Sequence, residues 1–148
     1  MSKGPTRVQR LVRINQFREE LASGALRSAT LQERKAREGH KSAVGDVDRI
    51  GDWKVKGSEA RGLDLSFYNV ALGLESQAMV RADELKQTLT ASEQRTVQAQ
   101  AGLVDAACAM RVSENRGKRE QSAAEMEQEK RSFDQISDVW LNNREVAP

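Results

Sequence analysis

The stretch that decides the fold runs from Ala78 to Met110, AMVRADELKQTLTASEQRTVQAQAGLVDAACAM. Within it Ala78, Ala82, Leu85, Leu89, Ser92, Thr96, Ala99, Leu103, Ala106 and Met110 follow one another in alternating steps of four and three. All but Ser92 and Thr96 are apolar. That spacing places every member on one face of a helix and keeps the face turned toward a neighbouring helix, as a coiled-coil seam requires. Working back toward the start, Ala36, His40, Ala43, Val47 and Ile50 step by four, three, four and three, and Leu11, Ile14, Phe17 and Leu21 by three, three and four. Proline stands only at positions 5 and 148, so nothing between them forces a helix to stop.

Between the two periodic halves Gly39, Gly45, Gly51, Gly57 and Gly62 fall close together, and glycine inside a helix costs up to about 1 kcal/mol relative to alanine. The chain is therefore expected to turn at Gly57-Ser-Glu-Ala-Arg-Gly62, with Asp64 or Ser66 capping the second helix through its side-chain oxygen. The pattern predicts an all-α fold, two long helices forming one antiparallel coiled-coil hairpin. The helices are placed at about 6–57 and 64–143 with the turn at about 58–63, the second helix being longer by roughly 40 Å. A hairpin centred near residues 60 and 61 sets residue i opposite about 121 − i. Leu11 then faces Met110, Phe17 faces Leu103, Leu31 faces Leu89, Val47 faces Leu74, and Trp53 faces Phe67 or Tyr68.

Composition agrees with a narrow seam. Of 148 residues 31% are charged and 4% aromatic, while Leu, Ile, Val and Phe together number 30, a level at which an ordinary globular core is hard to fill. The net charge is +2, but residues 1–74 carry 14 basic and 9 acidic side chains and residues 75–148 carry 10 and 13. Halves of opposite sign attract when folded together. The opening MSKGPTRVQRLVRI has charges through every apolar stretch, so it reads as neither a signal peptide nor a membrane span. A single cysteine, Cys108, leaves no intramolecular disulfide and points to a reducing compartment. Beside the Leu103, Ala106, Met110 stripe it is expected to be a small, buried, inert thiol.

Chemistry-bearing constellations are missing from the pattern. The one histidine, His40, lies on the expected first seam, no Gly-x-x-x-x-Gly-Lys phosphate loop occurs, and Glu125, Glu127 and Glu129 point around a helix rather than converge. The expectation is a protein that is not an enzyme and holds no metal or cofactor. Three surface features remain. Arg7, Arg10, Arg13 and Arg18 precede any acidic residue. They suit a protein surface with acidic loops better than nucleic acid, since no aromatic side chains are interleaved for base stacking. Phe133, Ile136 and Trp140, spaced three and four, fall where the second helix has no partner from its own chain, a pattern of docking faces. Around the bend, Phe67, Val70, Ala71 and Leu74 suffice to close the seam, which leaves Tyr68 and Leu72 on a neighbouring face and exposed.

This layout resembles the FliJ-type stalk proteins of flagellar export systems and their YscO-like counterparts in virulence type III secretion. The resemblance covers nearly the whole chain. It rests on the length, on the basic opening Arg7-Val-Gln-Arg-Leu-Val-Arg-Ile-Asn-Gln-Phe17, on a mid-chain turn followed by an apolar and aromatic patch, and on the charged end from Lys118-Arg-Glu-Gln121 to Asn143. The family implies a cytoplasmic, non-enzymatic antiparallel coiled coil, held peripherally at the inner membrane through the export apparatus. Its termini end enters the hexameric export ATPase and its flank near the bend touches the export gate, a membrane protein, and some members also escort export chaperones. Carried onto this chain, Arg7, Arg10, Arg13, Phe133, Ile136 and Trp140 would meet the ATPase. Tyr68, Leu72, Phe67 and Ala71 would meet the gate. The glycine density from Gly39 to Gly62 departs from an ideal rigid shaft. The competing reading is a generic coiled-coil scaffold or chaperone holding an amphipathic client helix.

Overall fold

The computed structural model describes residues 6–62 and 64–146 of the chain. Helix α1, Arg7–Arg61, opens on a reciprocal cap: the Thr6 hydroxyl accepts from the Gln9 amide at 3.2 Å while the Gln9 side-chain carbonyl accepts from the Thr6 amide at 3.0 Å. This Thr-x-x-Gln box satisfies two of the amide donors that a helix start leaves unpaired. The helix ends where Gly62 takes a φ of +70°, the left-handed conformation that closes helices and that side chains with a Cβ resist. Asp64 then caps α2, Leu65–Val146, its carboxylate accepting from the amides of Ser66 at 3.1 Å and Phe67 at 3.3 Å. Of the two capping candidates in the sequence, Asp64 is the one used.

The two helices pack against each other as a helical hairpin, and no strand occurs among the described residues. The turn comes later and is tighter than the glycine spacing suggests, because α1 continues through Gly39, Gly45, Gly51 and Gly57 as helix. Moving the bend from residues 60–61 to Gly62–Asp64 shifts the pairing by about one helical turn, so that residue i lies opposite about 125 − i. Two units make up the chain, one of residues up to 20 together with those from 105 on, the other Leu21–Val104.

In the second unit, the α2 stripe from Ala78 through Ala82, Leu85, Leu89, Ser92, Thr96 and Ala99 to Leu103 is buried or half-buried throughout. Ala36, His40, Ala43, Val47 and Ile50 supply the facing stripe, continued backward by Ala22, Leu26, Ala29 and Glu33. The Thr96 hydroxyl lies 3.1 Å from the carbonyl of Ser92 and 3.4 Å from that of Ala29 across the seam. Arg37 reaches Glu33 on its own helix at 2.9 Å and Glu93 on the other at 3.5 Å. Near the bend Lys54 and Glu75 form an ion pair of 2.6 Å with both side chains less than a fifth exposed. The hydrogen bond to Glu75 and the charge of that carboxylate together outweigh desolvation and raise the Lys54 pKa above 10.5.

In the first unit the seam differs from the expected one. Val8, Val12, Asn15 and Glu19 turn inward, and the Asn15 amide donates to the Ser113 hydroxyl at 3.1 Å and toward the Ala109 carbonyl at 3.4 Å. Ser113 in turn donates to the Met110 carbonyl at 2.9 Å. Leu11, Ile14 and Phe17 lie outside, 37%, 51% and 61% exposed, and in the second unit Leu21 and Leu31 are exposed too. The expected pairings of Leu11 with Met110, Phe17 with Leu103 and Leu31 with Leu89 are therefore overturned. The reason is phase. The buried positions keep four-three steps from Val8 to Glu19, and the three-three start of the Leu11 stripe falls one residue out of step. Trp53 does meet Phe67, edge to face, with ring centroids 4.8 Å apart.

Candidate functional surfaces

At the bend, Phe67 is buried by a close approach rather than by bulk on α1. It lies against Gly57, where an added Cβ would overlap the ring. Trp53 closes one side and the Arg61 guanidinium covers the ring 4.7 Å from its centroid. Ala71 is wholly buried one turn on. These two side chains therefore face the partner helix and are not available on the flank. Tyr68 and Leu72, the other pair assigned to the gate, are 42% and 40% exposed, and Val70 and Leu74, expected in the seam, also lie outside. Leu65, Tyr68, Ser58, Gly62 and Asp64 line an open cavity of about 440 Å³ at the tip. What the sequence missed here is that Gly57 makes room for an aromatic ring, a role that spacing alone does not distinguish from a helix break.

At the termini, a Cβ added at Gly117 would lie 3.5 Å from the Val8 side chain, Thr6 lies beside Glu120, Gln121 and Ala124, and past that turn α2 continues with no described residue of its own unit beside it. From Lys118 to Glu145 every side chain is exposed apart from half-buried Ser137. The polar residues there pair along the helix, Arg131 with Glu127 at 2.8 Å and Gln121 with Glu125 at 3.4 Å. Phe133, Ile136 and Trp140 stand 71%, 69% and 59% exposed, with the Arg144 guanidinium 5.3 Å from the Trp140 ring. Arg7, Arg10 and Arg13 are exposed at the start of α1. Arg7 and Arg10 line, with Val8, Leu11, Ile14, Arg116 and Glu120, a groove of about 360 Å³. The structure thus brings the arginines into one unit with the Phe133, Ile136, Trp140 stripe, but not into contact with it.

Cys108 is exposed, a correction to the expected buried thiol. It falls between seam positions Ala106 and Met110 and turns away from α1. His40 is half-buried on the seam. Among the described residues no three His, Cys, Asp or Glu side chains are grouped to hold a metal ion, and no helix is long and apolar enough to cross a membrane. No family model, curated protein or solved structure matches this chain.

Proposed function

We propose that this chain is a stalk or coupling protein of a flagellar or related type III export apparatus. In that reading it is cytoplasmic, held at the inner membrane by its partners, and carries out no chemistry of its own. The observation that carries the proposal is the length of α2 beyond Gly117, where Phe133, Ile136 and Trp140 project from a helix that no described residue of its own chain covers. Exposed aromatic side chains at helical spacing are what a ring of subunits would grip. The nearby arginines would steer them toward acidic loops of the export ATPase. Tyr68 and Leu72 would be the contacts to the export gate, with Phe67 and Ala71 holding the helix that presents them.

The test is ATP hydrolysis and particle size of the export ATPase as the chain is titrated in. Stimulation and ring assembly near one chain per ring, lost in Phe133→Asp and Trp140→Asp, support the reading. Absence of both effects with the folded chain removes it. The exposed Leu11, Ile14, Phe17 face favours a second reading, a scaffold that binds an amphipathic client helix.

A further inference from the structure

Past the level of Thr6 the length of α2 has two unlike sides. The seam steps of four and three, carried on from Ser113 and Gly117, pass through Glu120, Glu127, Asp134 and Asp138 with one cation, Arg131. The side in line with α1 is therefore acidic. The opposite side carries Met126, Glu129, Phe133, Ile136, Trp140 and Asn143 in alternating steps of three and four. Its apolar members are each more than half exposed, as is Val139 beside them. Charge on this outer side is balanced over residues 123–146, Glu125 and Glu129 standing against Lys130 and Arg144. The Arg144 guanidinium lies back toward the Trp140 ring, 5.3 Å from its centroid.

We propose that this outer side is a self-association surface, on which the α2 ends of two copies pair antiparallel about a two-fold axis level with Asp134 and Gln135. Because the stripe faces away from α1, each copy's α1 stays on the far side of its own α2, and nothing stands between the two stripes. Interlocking the steps of three and four sets residue i opposite 269 − i of the other copy. Phe133 then packs on the other copy's Ile136, with Val139 alongside, and Trp140 lies over the other copy's Glu129. Since Arg144 is drawn back to Trp140, its guanidinium arrives beside that same Glu129, an opposite-sign pair formed twice. Like charges do not meet at the edges: Lys130 falls beside Ser137 and Glu125 beside Val146. A parallel pairing would instead stack Glu129 on Glu129 and Arg119 on Arg119. Val146 of one copy comes level with Ala123 of the other, an overlap of about 36 Å. Covering the exposed stripe on both copies buries on the order of 1,000 Å², the low end of specific interfaces, which suits micromolar association. The contact is the same patch on both copies, so it closes at two.

This inference does not rest on the export reading, although Phe133, Ile136 and Trp140 serve both. A dimer would cover the side chains that the ATPase would grip, so the two states exclude each other. A foreign helix is the competing occupant. The match of the stripe to its own reverse, with Glu129 meeting Arg144 twice, favours a second copy.

The experiment uses the purified full-length chain without any partner. In a Cys108→Ser background, Met126→Cys with Asn143→Cys is oxidised across the micromolar range and run without reductant. A covalent dimer is expected. Neither single cysteine variant should give one, because like positions of the two copies lie about 25 Å apart in this register, and the same spacing along one helix prevents closure within a chain. Sedimentation of the wild-type chain should show a reversible dimer. Glu129→Arg should weaken it about tenfold, and Glu129→Arg with Arg144→Glu should restore it. In Trp53→Phe, which leaves Trp140 as the only tryptophan, the emission should shift to the blue as concentration rises. A wild-type chain that stays monomeric throughout overturns the proposal and leaves the stripe to a foreign helix. So does a double-cysteine chain with intact helicity that gives no dimer, and so does a dimer from Met126→Cys alone, which would mark a parallel pairing. Because no ATPase is present, these outcomes are independent of whether the stalk reading holds.

Discussion

Gly57→Ala should destabilise the hairpin, whereas the same change at Gly24 should stabilise it. Both positions are helical, and replacing an interior helical glycine with alanine gains up to about 1 kcal/mol. At Gly24 nothing lies within 4 Å of the added methyl, so that gain stands alone. At Gly57 the methyl would occupy the space of the Phe67 ring. The ring has nowhere to retreat, being held by Trp53 at 4.8 Å and by Arg61 at 4.7 Å. Overpacking of this kind costs about 1–3 kcal/mol, and displacing the ring also forfeits an aromatic pair of about 0.5–1.5 kcal/mol. Against the propensity gain, Gly57→Ala should lose about 1–3 kcal/mol, a swing of roughly 2–4 kcal/mol between the two sites. Urea unfolding followed by circular dichroism, at one protein concentration, measures both. In a Phe67→Ala background the penalty at Gly57 should vanish, since the methyl then has room. If Gly57→Ala stabilises as much as Gly24→Ala does, the close packing of Phe67 on α1, and with it the register at the bend, is wrong.

Replacing the buried Asn15 with leucine should leave stability equal or higher while allowing the helices to slip. Its bonds to Ser113 and Ala109 fix a register that apolar side chains do not specify, and double electron–electron resonance between labels on the two helices should show a broadened distance. The raised pKa of Lys54 makes part of the stability alkaline-sensitive. A folded-state pKa above the unfolded 10.5 means the contribution is complete below that value and fades as pH rises through the folded one. Wild type should therefore lose thermal stability in that range, and Lys54→Met should lose less. Thr6→Ala removes one side of the reciprocal cap and should cost about 1 kcal/mol, seen first as faster amide exchange in the first turn of α1.

How much of this was legible depends on where side-chain size and side-chain position agree. On α2 they agree: the stripe from Ala78 to Met110 is continuous in the sequence and continuous in burial, because it holds the leucines of that stretch, whereas the competing stripe Val97, Ala101, Val104, Cys108 is made of smaller side chains and stays exposed. At the start of α1 they disagree. Leu11, Ile14 and Phe17 outrank Val8, Val12 and Asn15 in bulk, yet the smaller set is buried. Reading a seam from hydrophobicity presumes that the largest side chains face the chain's own partner helix. That presumption fails wherever a helix has a second face to cover. The partner stretch gave the signal, since Ser113 and Gly117 continue the α2 steps of four and three and offer room for valine and a hydrogen-bonded asparagine, not for phenylalanine. The Thr6-Arg-Val-Gln9 box went unread, although Thr-x-x-Gln ahead of an apolar run is a helix-start pattern. The bend was misplaced because glycine was read as a break, although among the described residues only Gly62 adopts a positive φ.

The same disagreement bears on function. Among the described residues the buried apolar side chains are Val8, Ala43, Phe67 and Ala71, of which Phe67 alone is aromatic. Meanwhile Phe17, Phe133, Ile136 and Trp140 are more than half exposed. A chain under selection only to form a stable hairpin would have the opposite arrangement, because each large apolar side chain moved from water into a packed site contributes about 1.5–3 kcal/mol. The seam instead uses small residues and hydrogen-bonded polar ones, which fix register at little cost in area. Sorting side chains this way gives a hairpin whose internal pairing is specified by Asn15, Thr96 and the Lys54–Glu75 pair. In the proposed function the exposed apolar side chains at the bend and toward the end of α2 would carry the affinity for partners, while the small and hydrogen-bonded seam residues fix the pairing of the helices.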